Sequence, residues 1–136
     1  MSSVILLKIA AVLALLQGVA HATLIVFASP KHGPEEVAVI DTMKSHRFNF
    51  LGAQRTYWDF YFGYALIAAI ICLVEAVLFW QVAGLGVGVI RLVASVFLAF
   101  NLVHAVLAWR YFFLTPIIPD LLIAGCLVAA LVRAAV

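Results

Sequence analysis

The chain has 136 residues, 68% of them hydrophobic and 10% charged, with a formal net charge of +2 and a mean hydropathy of +1.23. Soluble domains are about 45–50% apolar and about 25% charged, so a soluble domain is excluded and an integral membrane protein is left. The charge excess is too small to argue for nucleic acid as a partner, and the two cysteines, Cys72 and Cys126, show no CxxC or Cys/His spacing, so they read as packing residues in apolar runs.

The first apolar run covers residues 4–28. Ala20-His21-Ala22 resembles a signal-peptidase site, but the run continues beyond it as Thr-Leu-Ile-Val-Phe-Ala, so the segment is read as a retained membrane helix. A polar stretch, 29–54, follows. Within it Gly33-Pro34-Glu35-Glu36 is a helix-start signal, with Lys44, His46 and Arg47 near the expected end, which suits the helix dipole. Val37, Ile40 and Met43 give this piece an apolar side, so a short amphipathic helix at the bilayer surface or over the bundle mouth is expected, with an ordered loop as the alternative.

Three more apolar runs follow at about 57–80, 89–113 and 120–136. Gly84, Gly86 and Gly88 between the second and third read as a turn, since no strand precedes them as a nucleotide fingerprint requires. Thr115 to Pro119, with its two prolines, reads as a second turn. Each run suits a hydrocarbon core about 30 Å thick, and backbone groups in lipid must be satisfied internally. The expected fold is all-α: an antiparallel four-helix membrane bundle with a short amphipathic helix in the first loop. The loop side carries Lys31, Lys44, Arg47, Arg55 and Arg110, the other side Lys8, Arg91 and Arg133. The positive-inside tendency then places the long loop in the cytoplasm.

Ionisable residues inside membrane segments are costly and tend to face protein or a wet cavity. Counted from the loop-side surface at about 1.5 Å per residue, His21 on the first helix and His104 on the third both lie about 10 Å down. Gln17 and Asn101 sit one turn deeper, and Asp59 and Asp120 enter the second and fourth helices from the same side. The expectation is a loop-side cavity where His21, Asn101 and His104 converge, roofed by residues 35–50 and bordered by Tyr57, Trp58 or Tyr61. In an acid/base pocket for a lipophilic molecule, His21 or His104 would transfer the proton and Asp59 or Asp120 would set its protonation. Gln17, Asn101 and Asp120 would orient the ligand and the helix-2 aromatics would wall it.

Other chemistries use the same positions. The histidines could simply hydrogen-bond between helices, clasp a haem b as a minority reading, or join Asp59 or Asp120 on a metal; no cofactor and no metal is the expectation. Two further details concern helix 2. Asp59 lies about 160–200° from the stripe of Tyr57, Tyr61 and Tyr64, so it is expected to pair with Arg55 at the interface or to meet another subunit. Glu75, placed near the opposite surface, is expected to pair with Lys8 or Arg91.

The segment from Met43 to Tyr64, with Phe48, Phe50, Gly52, Arg55, Tyr57-Trp58-Asp59-Phe60 and Gly63, resembles an uncharacterised group of small bacterial four-helix membrane proteins that carry Arg-Ser-Tyr-Trp-Asp-Phe. Thr56 here stands in place of the serine. In helix count and size the chain is also broadly similar to DoxX-like proteins. The resemblance implies the fold and a location in the bacterial inner membrane, and implies no activity. Two functions are therefore expected to compete. One is a protein that binds, and by acid/base chemistry transforms, a lipophilic small molecule. The other is a non-catalytic accessory or assembly subunit, in a homo-oligomer or a larger membrane complex.

Overall fold

A computed structural model describes residues 2–27 and 29–134. Four helices are long and apolar enough to cross a membrane: α1 (Ser3–Phe27), α3 (Tyr57–Val82), α4 (Val87–Tyr111) and α5 (Leu114–Ala134). The protein is an all-α, multi-pass membrane bundle. The expected helix ends at 28 and 135–136 lie outside the described residues. The fifth helix, α2 (Pro34–Ser45), occupies the first loop as expected. Glu35 and Glu36 stand in its first turn and Lys44 in its last, each at the end whose partial charge favours it.

α1 lies between α3 and α5, and α5 lies between α1 and α4, while α3 and α4 meet only loosely although they follow one another in the chain. Helices in lipid gain little from apolar burial against one another, so close approach of small residues holds them. On α1 that face is Ala10, Ala11, Ala14 and Gly18. A Cβ at Gly18 would lie 3.1 Å from the Ala69 carbonyl oxygen and 3.1 Å from the Cys72 Cβ, which is why a glycine stands there. The half of the bundle nearest the α3–α4 turn is packed with Leu7, Phe79, Ile90, Ile123 and Leu127. Of the buried polar residues, Asn101 and Asp120 lie nearer the loop-side ends of their helices and Glu75 nearer the α3–α4 turn.

Two boundaries differ from the sequence reading. α5 starts at Leu114 and not at 120, taking in both prolines of the expected turn. The first amides of a helix have no intrahelical acceptor, so Pro116 costs nothing there, and only Pro119 removes a ladder bond. The stretch after α2, where the sequence reading names no strands, is a β-hairpin. β1 (Arg47–Phe50) pairs antiparallel with β2 (Ala53–Thr56), Phe48 opposite Arg55 and Phe50 opposite Ala53. Its two-residue turn has φ of 51° at Leu51 and 88° at Gly52, the doubly positive pair that matches strand twist. Asn49 Oδ1 fastens it by accepting from the Gly52 amide at 2.9 Å.

Candidate functional site

The hairpin explains the aromatic stretch at the mouth of α3. Phe48 packs on Tyr57 at 4.8 Å between ring centroids, Phe50 meets Phe60 edge-on at 5.2 Å, and Lys44 sits 4.5 Å over the Trp58 ring. Tyr57 is thus a seat for the hairpin. Asp59, expected as a partner of Arg55 and a candidate catalytic group, closes a capping box. Its Oδ2 accepts from the Thr56 amide at 2.8 Å while its own amide donates to Thr56 Oγ1 at 3.1 Å. Arg55 turns to the Gln54 carbonyl instead. A helix start at a polar-to-apolar boundary needs its free amides satisfied, and that need takes the carboxylate.

The polar residues of the bundle do meet, in a different set from the one expected. Asp120 on α5 is 2% exposed. Its Oδ1 accepts from the Gln17 amide of α1 at 2.8 Å, and its Oδ2 lies 2.8 Å from His104 Nδ1 on α4. One turn from His104, Asn101 is 1% exposed. Its side-chain amide donates to the Glu75 carboxylate of α3 and to the Phe97 carbonyl. All four membrane helices therefore contribute to two hydrogen-bonded groups joined through α4.

Glu75 is 2% exposed and does not pair with Lys8 or Arg91. α3 runs on to Val82, which leaves Glu75 about two turns inside the helix end. The two cations remain at the edge. Lys8 lies 5.0 Å over Trp80 and Arg91 donates to the Ala134 carbonyl at 2.6 Å, closing the end of α5.

His21 does not join this network. Its Nε2 is buried with no hydrogen-bond partner, and no bond links it to His104 or Asn101. Neither histidine lines the loop-side cavities. One, of about 230 Å³, is bounded by Ile25, Val37, Asp41, Lys44, Trp58 and Phe62. The other, of about 490 Å³, lies among Leu24, Glu35, Val39, Met43, Trp58 and Tyr61. Residues 35–44 do form a roof, and Trp58 and Tyr61 do border the space, but it lies between α2 and the facing ends of α1 and α3. His104 is committed instead to Asp120 of α5, which also holds Gln17 of α1.

His104 keeps 39% of its side chain exposed, and its ring lies nearly parallel to Phe100, 3° apart with centroids at 6.1 Å. Among the described residues no protein group bonds its Nε2. The arrangement, a carboxylate fixing one imidazole nitrogen while the other stays accessible, is the one that orients a proton-transfer group. Among the described residues no group of three or more His, Cys, Asp or Glu is placed to hold a metal ion. No protein-family model, no curated protein and no solved structure matches the chain.

Proposed function

We propose that this membrane protein binds a lipophilic small molecule at the loop-side half of the bundle, received from the bilayer and met by His104. The observation that carries the reading is the Asp120–His104 pair: a ring fixed at Nδ1 at 2.8 Å, within a membrane span, with Nε2 left accessible. A polar nitrogen facing hydrocarbon without a partner costs several kcal/mol by transfer measures, and a ligand's polar group removes that cost. His104 is the proton-exchanging group, Asp120 orients it, Gln17 holds Asp120, and Phe100 supplies a flat wall. The excess of Lys and Arg on the loop side supports an orientation with that side in the cytoplasm, and the Arg-Thr-Tyr-Trp-Asp-Phe segment supports a bacterial inner membrane.

The cavity of about 490 Å³ favours a second reading, in which a lipid chain lodges beneath α2 against Trp58 and Tyr61. Mass spectrometry of the small molecules that travel with purified protein tests both. Loss of the retained molecule in His104→Phe supports the first, and loss only in Trp58→Ala supports the second. Retention of nothing by the native protein, with a larger complex co-purifying, would instead favour the accessory-subunit function.

A further inference from the structure

We infer that the molecule received by His104 is a lipophilic carbonyl compound, bound through its carbonyl oxygen. This deepens the reading above and rests on it. The class of ligand follows from where the protons of the Asp120–His104 pair can sit.

Asp120 Oδ1 is committed to a definite donor, the Gln17 amide. Its Oδ2 and His104 Nδ1 are 2.8 Å apart, a distance that requires one hydrogen between them. In a membrane span a pair with no net charge is favoured over one with a lone buried carboxylate. Two arrangements have no net charge. Either Asp120 is ionised and His104 is an imidazolium, or Asp120 holds the shared proton and His104 is neutral. In the first, both ring nitrogens carry hydrogen. In the second, Nδ1 accepts from Asp120, so the ring proton is on Nε2. In both uncharged arrangements Nε2 is an N–H donor.

A donor asks for an acceptor. Glu75, the other buried carboxylate, accepts from Asn101 through Oε1, and among the described residues no hydrogen bond joins it to His104. The acceptor therefore comes from the ligand. The exposed ring beside the parallel Phe100 face suits an oxygen on a flat, unsaturated centre, as in a ketone, quinone or ester. A saturated chain with no oxygen leaves the N–H unpaired.

The inference is tested with ¹⁵N-histidine-labelled protein in phosphatidylcholine nanodiscs, titrated with 2-tridecanone and with its alkene isostere 2-methyl-1-tridecene. The expected result is a His104 Nε2 resonance with a directly bonded proton before any ligand is added. That resonance moves saturably with the ketone, and the ketone binds at least tenfold tighter than the alkene. The preference disappears in His104→Phe, which keeps the stacked ring and removes the donor. An Nε2 with no bonded proton, or equal binding of the two probes, overturns the carbonyl inference and leaves ligand binding standing. Binding of neither probe, with the Nε2 proton in place, overturns both.

Discussion

Gln17 and Asp120 stand 103 residues apart in the chain and 2.8 Å apart in space, so a half-buried hydrogen bond joins the first and last membrane helices. The same carboxylate holds His104, which makes Asp120 the residue on which α1, α4 and α5 agree. Asp120→Ala leaves the half-buried Gln17 amide and His104 ring without their shared partner, a loss of about 1–3 kcal/mol. Asp120→Asn keeps an acceptor for one of them and loses less. Reversible unfolding in mixed detergent micelles checks the order of the two variants.

Glu75 and Asn101 make the corresponding tie across the α3–α4 seam. Glu75→Gln keeps an oxygen for the Asn101 amide and leaves stability nearly unchanged, whereas Glu75→Leu loses that bond and costs about 1 kcal/mol. Asn101 retains the Phe97 carbonyl in either case, which limits the loss. The same unfolding measurement serves, with Lys8→Met as a control that leaves the Glu75 network untouched because Lys8 lies over Trp80.

Much of this was legible in the sequence, and the parts that were not have physical causes. Four membrane helices and the position of α2 follow from run length and from the polar break at 29–54. His104 and Asp120 lie about two turns from the Tyr111 and Leu114 ends of adjacent helices, so their meeting could be read by counting from the turn. His21 could not be ruled out in that way, because depth and face do not say which neighbour a ring chooses. Glu75 misled because the second helix was ended at 80, which put the carboxylate too near the surface cations. The hairpin escaped because its turn is Leu-Gly, where Asn-Gly or Asp-Gly would have been the signal.

That turn supplies a third prediction. Leu51 is exposed and holds φ of 51°, a conformation that costs a non-glycine residue about 1–2 kcal/mol. Asparagine tolerates it better and completes an Asn-Gly turn. Leu51→Asn therefore slows amide hydrogen exchange in β1 and β2, with a gain of about 0.5–1 kcal/mol.

Close packing of α1 on α3 supplies a fourth. Gly18→Leu puts side-chain atoms where the Ala69 carbonyl and Cys72 already stand, and overpacking of this kind costs about 1–3 kcal/mol. The variant unfolds at lower denaturant, and crosslinking between cysteines placed on the facing helices weakens. Gly18→Ala shows the same effects in smaller measure.

The loop side responds to acid. Glu36 accepts from the His32 amide at 2.7 Å and the Lys31 amide at 2.6 Å, and the His32 backbone bond, ahead of the other contacts, holds its carboxyl below the ordinary 4.5. A lowered folded-state value means that the bonds contribute above the ordinary value and are lost as pH falls through the lowered one. Hydrogen exchange at Lys31 and His32, corrected for intrinsic rates, stays slow at neutral pH and speeds up below about pH 4.5. The α2 amides beyond the first turn do not follow.

The most direct test of the central claim is an experimental structure of the protein in a lipid bilayer, at a resolution that shows what lies against His104. The account predicts Asp120 on Nδ1 and a non-protein polar atom within hydrogen-bond distance of Nε2, carried on an apolar molecule beside Phe100. A protein group bonded to Nε2, or a ring turned inward with no ligand beside it, would contradict the account.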